Sequence, residues 1–186
     1  MKFFIFTILV STAPASFASQ KMLATKIRPC EGATGSYRMN PDQTQGGFVA
    51  STASATASVW INPEAQVCEF AELSGEVKIT DRAKIFGRAK LSGNITVSGV
   101  TEVFGNATLL NDPFSSDMLI SDAVKIFGSA YLYGSLLISD STQIFGRAQV
   151  LDFVQVTGTS RICGNSIVDG SIILVDDTTL CNAGAL

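Results

Sequence analysis

KIFGRAKLSGNITVSGVTEVFGNATL, residues 84–109, carries an aliphatic side chain at every sixth position: Ile85, Leu91, Val97, Val103 and Leu109. A helix places apolar residues at a period near 3.6, and a half-buried strand at a period of 2. Neither gives six. A fixed longer period is the mark of a stacked repeat, in which one small structural unit recurs.

The phase extends in both directions. Residues 61–114 form one block and residues 120–185 another, with five extra residues in the stretch LLNDPFSSDML between them. Each first position is Ile, Leu or Val. The fifth is mostly small, as at Ala65, Ala71, Ala83, Ala89, Thr101 and Ala107, and the third is mostly Gly, Asp or Asn, as at Gly75, Asp81, Gly87, Gly93 and Asn111. In a short strand alternate side chains face inward, so the first and fifth positions share an interior. The third position must turn the chain, which suits residues that tolerate positive φ. Each unit is therefore one short strand and one bend, and three units close a triangular coil of 18 residues.

The 18-residue period is itself present. Phe86 and Phe104 are one coil apart, as are Phe127 and Phe145, and Cys163 and Cys181. Val77 and Ile95, then Leu136, Val154 and Ile172, mark a different side where the small-residue rule relaxes. The predicted fold is all-β: a parallel β-helix, or β-solenoid, of about seven coils spaced about 4.8 Å apart, on the order of 34 Å tall. A β-sandwich with glycine turns fits poorly, because its strands recur every 8–12 residues or so with alternating polarity.

The units IFGRAKL, VFGNATL and IFGSAYL, and the opening INPEAQV at residues 61–67, resemble the hexapeptide-repeat family over residues 61–185. The match weakens toward Val49. This resemblance implies a left-handed parallel β-helix. Bactofilin-like polymer-forming solenoids share the six-residue spacing with a right-handed coil and are the second fold reading. The best-known hexapeptide-repeat members are acyltransferases that use a histidine base. This chain of 186 residues contains no histidine, and histidine is the side chain whose unperturbed pKa suits that work near neutrality. An acyltransferase is therefore the third functional reading, and the expectation is a protein that is not an enzyme, with no catalytic residues and no cofactor.

Composition narrows the rest. With 46% hydrophobic and 16% charged residues the chain can build a core, and its net charge of −3 gives no footing for nucleic acid. No apolar run is long enough to span a membrane as a helix. Lys2, the run FFIFTILV and the small residues before Ala18 predict a signal peptide over residues 1–18. Residues 19–48 are expected to cap or cover the solenoid, which occupies 49–186 with a corner-loop insertion near 111–118. Export implies a secreted, periplasmic or cell-surface location, where cysteines pair. Cys163 and Cys181 hold equivalent places on neighbouring coils, close to the separation of about 5.5 Å that suits a disulfide. Cys68 heads the same column and leaves Cys30 as its partner.

Three outward columns carry the candidate chemistry. Phe86, Phe104, Phe127 and Phe145 form an aromatic ladder that calls for burial. Residues 19–48, two further copies in a trimer, or another partner could each cover it. Asp81, Asp122, Asp140 and Asp176 stand on one corner; turn residues explain them better than a Ca²⁺ site, and no metal site is expected. Thr80, Ser98, Ser121, Ser139 and Thr157 make a hydroxyl row whose neighbours Lys78, Thr96, Leu119, Leu137 and Gln155 lack the second threonine file that ice binding would want. Asn94 and Asn106 match the glycosylation pattern on exposed corners.

The functional expectation is an exported, non-enzymatic structural rod. It self-associates as a trimer or end-to-end polymer, or serves adhesion or surface architecture. A carbohydrate- or ligand-binding solenoid is the alternative.

Overall fold

The structure, a computed structural model, describes residues 30–112, 115–182, 184 and 185. The expected signal peptide and residues 19–29 lie outside them. Within the described residues the chain is all strand and turn, wound into a parallel β-solenoid with three faces.

Face A stacks Gln45–Ala50, Gln66–Val67, Lys84–Ile85, Glu102–Val103, Lys125–Ile126, Gln143–Ile144, Arg161–Cys163 and Thr179–Cys181. Face B begins with Ser54–Ala55, Glu72–Ser74, Lys90–Ser92, Thr108–Leu110 and Tyr131–Gly134. Face C begins with Trp60–Ile61, Val77–Ile79, Ile95–Val97, Met118–Ile120 and Leu137–Ile138. Neighbouring coils pair in parallel at 18 residues, as in Glu102↔Lys84. Across the insertion the offset grows to 23, as in Glu102↔Lys125, yet the phase resumes unchanged. The parallel stack reaches back to Phe48, which pairs with Gln66.

The core follows the six-residue rule. Ile61, Ile79, Ile85, Leu109, Ile126, Ile144 and Val156 are fully buried at the first position. Each such side chain contributes roughly 1.5–3 kcal/mol on burial. At the fifth position Ala, with Thr101, Val124, Thr142, Ser160 and Ser166, fills the corners leading into faces A and B. The corner into face C takes the larger Val77, Ile95, Met118, Leu136 and Val154. The inward hydroxyls of Thr142 and Ser160 are satisfied locally, whereas the buried Thr101 hydroxyl has no hydrogen-bond partner among the described residues. Thr142 Oγ1 donates to the Ser139 carbonyl at 2.9 Å, and Ser160 Oγ to that of Thr157 at 2.8 Å.

Third-position residues adopt positive φ, including Asp81 (53°), Asp122 (68°) and Asp140 (63°). Their carboxylates brace the next coil. Asp81 accepts from the Gly99 N–H at 2.9 Å, and Asp140 from that of Gly158 at 2.9 Å. The corner between faces B and C has a different backbone: Gly93, Gly134 and Gly170 sit at φ 106°, 101° and 99°. There the structure departs from a uniform bend. Gln149–Val156 and Ile167–Leu174 run through the corner as single strands, paired along their whole length, because Asp152 and Gly170 turn in register without breaking the ladder.

The first coil would expose an open edge on all three sides. Each side is closed differently. On face A, Gly35–Met39 pairs antiparallel with Gln45–Ala50. On face B the Arg38 guanidinium donates to the carbonyls of Ala55 at 3.2 Å and Thr56 at 3.1 Å. On face C the buried Asn40 amide mimics a strand: its Oδ1 accepts from the Ile61 N–H at 2.9 Å and its Nδ2 donates to the Ile61 carbonyl at 3.1 Å. Burial depresses the Arg38 pKa without threatening its charge.

Candidate functional site

Face A carries the aromatic ladder. Phe86, Phe104, Phe127 and Phe145 stack in parallel with ring centroids 4.8, 4.9 and 4.9 Å apart and ring planes within 3° of one another. The spacing is that of the coils, so the backbone imposes it. Each inner ring has a ring on either side, and all four are half-buried. Their faces are largely taken by each other, which leaves edges for an outside partner.

The two disulfides frame this column. Cys30 is bonded to Cys68 and Cys163 to Cys181, with Cα separations of 5.6 and 4.4 Å. Cys68 and Phe86 line an open cleft of about 910 Å³ at the ladder's foot, together with Cys30, Phe70 and Lys84. The described part of the cap ends there. Residues 30–48 close the first coil, and the rings above the foot have none of them alongside. Arg88 lies over Phe70, 5.9 Å from the ring centroid.

Charge is distributed unevenly around the ladder. The four ladder coils place Lys84, Arg88, Lys125 and Arg147 beside the rings against one carboxylate, Glu102. Arg161 follows on the next coil. Lys125 reaches Glu102 at 3.1 Å. This stripe is basic on a chain whose net charge is −3.

The other sequence candidates resolve into local structure. The hydroxyls of Ser121 and Ser139 donate to the carboxylates of Asp122 and Asp140 at 2.8 and 3.3 Å. Among the described residues no three His, Cys, Asp or Glu side chains gather to hold a metal ion. Asn94 donates its side-chain amide to Asp117 at the root of the insertion, and Asn111 donates to the carbonyls of Ser116 at 2.9 Å and Gly134 at 3.2 Å. The insertion is thus tied back to the coil corner between faces B and C.

Sequence reasoning weighed a second surface only for ice binding and missed its apolar character. The outward column of face C reads Thr96, Leu119, Leu137, Gln155 and Ile173, beside Ser98, Ser121, Ser139, Thr157 and Val175. Lys78 lies one coil below Thr96 in the first column; from Thr96 upward no charged residue occurs in either column. Ile173 is 68% exposed and the adjoining corner residue Phe153 62% exposed. Leu119, Leu137 and Val175 are exposed too. The signal was available: Leu119, Leu137 and Ile173 lie at multiples of 18 residues from one another. Outward apolar residues break no steric rule, so the repeat pattern alone does not flag them.

Among the described residues no helix is long and apolar enough to cross a membrane. No protein-family model matches the sequence, and comparisons with curated proteins and with solved structures give no match.

Proposed function

We propose that the protein is an exported, non-enzymatic β-solenoid of hexapeptide type. In this reading it is a rigid rod that self-associates and serves assembly, adhesion or architecture at the envelope or cell surface. The observation that carries the proposal is the uncharged, exposed apolar face on the upper half of a continuously hydrogen-bonded stack. Contiguous apolar surface of this kind marks an interaction site in a monomer. The two disulfides support an oxidising compartment, and the absence of histidine from the sequence argues against general-base acyl transfer. Light scattering on the full oxidised chain over a wide concentration range tests it. Growth in mass with concentration supports the rod; a fixed monomer refutes self-association.

The basic stripe beside the aromatic ladder favours a second reading, binding of an extended acidic polymer such as a carboxylated polysaccharide. Neutral sugars that stack on ring faces are disfavoured, because the Phe rings already occupy one another's faces. Salt-sensitive retention on a polygalacturonate matrix, with no retention on a neutral glucan, supports it. Equal behaviour on both removes it.

A further inference from the structure

We infer that the apolar upper half of face C is the contact between two copies of this chain, packed face to face about a two-fold axis. The inference rests on the self-association reading and specifies its surface. Leu119, Leu137 and Ile173 form a straight column repeating with the coils, and Phe153 stands at its border. Together they line a shallow groove of about 390 Å³.

Three observations select a second copy as the occupant. First, a two-fold contact sets each patch against its own copy, so a patch of one charge sign meets its like. The two outward columns from Thr96 to Val175 carry no charge, whereas the aromatic stripe would oppose cation to cation. Asp117 borders the groove, and its carboxylate is already held by Asn94. Second, the face is a flat parallel sheet with a regular rise, so the side-chain rows of one copy fit the spaces between rows of the other. Third, the exposed apolar residues here present on the order of 500 Å², at the upper end of what a monomer shows. Two such faces bury on the order of 1,000 Å², the threshold for a specific interface.

Residues 19–29 are a poorer occupant for either surface. They carry Lys21, Lys26 and Arg28 with no acid, which opposes the basic stripe and gains nothing from an uncharged face.

The test compares two single substitutions on the same coil, Leu137→Glu on face C and Gln143→Glu on face A. Both sites point outward, and circular dichroism with thermal melting confirms that each variant keeps its β fold. Solution mass is then followed against concentration for the full oxidised chain. The expected result is that Leu137→Glu moves association to at least about tenfold higher concentration, while Gln143→Glu leaves it in place. If wild type associates and Leu137→Glu associates equally well, the face C contact is wrong and the rod assembles through another surface. If wild type stays monomeric throughout, self-association and this contact fall together.

Discussion

The aromatic column of face A and the aliphatic column of face C rise with the same coil spacing, overlap on the coils of Phe127 and Phe145, and both point outward. They solve burial differently. A flat ring 4.8 Å from the next covers its neighbour, so the Phe stack shields much of its own surface. Leucine and isoleucine side chains at that spacing touch at their flanks and leave their tips open, and Ile173 is 68% exposed. An apolar column on a solenoid is thus adhesive according to the shape of its side chains. Hydrophobicity alone does not rank the two.

The comparison can be broken by stability measurements. Ile126 ends a strand and faces the core, and Phe127, the next residue, stands in the ladder. Ile126→Ala is expected to cost about 2–5 kcal/mol of unfolding free energy, as for a fully buried aliphatic. Phe127→Ala removes half-buried surface and two ring contacts, for roughly 1.5–3 kcal/mol. Leu137→Ala, measured where the chain is monomeric, should cost less than about 1 kcal/mol. Urea titration gives all three. Equal losses for Phe127 and Leu137 would show that ring stacking gives face A no special cover.

Salt sharpens the contrast through its sign. Raising ionic strength screens repulsion between net-acidic chains while leaving apolar contact intact, so face C association should strengthen a few-fold. Retention of an acidic polymer on face A should weaken under the same change. One response for both processes would mean that a single surface serves them.

A smaller effect is expected at Glu102. Its ion pair with Lys125 is partly exposed, so Glu102→Gln should change stability by less than about 1 kcal/mol. The freed Lys125 should still raise acidic-polymer retention measurably and leave face C association unaltered.

The smallest effect concerns the cap, remote from both columns. Asp42 accepts from the Thr44 hydroxyl at 2.6 Å and N–H at 3.1 Å, and from the indole of Trp60 at 3.4 Å. The Thr44 contacts, side chain before backbone, depress its pKa. A depressed carboxylate contributes above its unfolded pKa and loses that contribution as pH falls through the folded one. Trp60 is the only tryptophan. Its fluorescence should shift once the pH falls below the ordinary carboxylate range, and Asp42→Asn should abolish that step.

Most of the coil was legible because its constraints are steric and recur. A first-position aliphatic, a small fifth position and a turn-tolerant third leave a trace at every unit, and the φ values at Gly93, Asp122 and Gly134 follow from them. The insertion is readable as a phase slip of five. The cap was not readable in detail. Arg38 and Asn40 each act once, through contacts reaching 17 to 21 residues along the chain, and nothing repeats to reveal them. The face C column escaped for another reason. Outward positions accept almost any residue, so Leu119 and Leu137 look ordinary even when the 18-residue period sets them in one file.

The two disulfides have a mechanical consequence. Tension applied along the chain crosses from Cys30 to Cys68 and from Cys163 to Cys181 through sulfur, so the residues between each pair carry no load. The force enters the rod between coils that are stacked above and below, instead of peeling an outermost one. Reduction would release that slack: the 38-residue span alone holds on the order of 130 Å of contour at 3.3–3.6 Å per residue. A rod that is stiff when oxidised would become extensible once reduced, with its reserve length stored at the two ends.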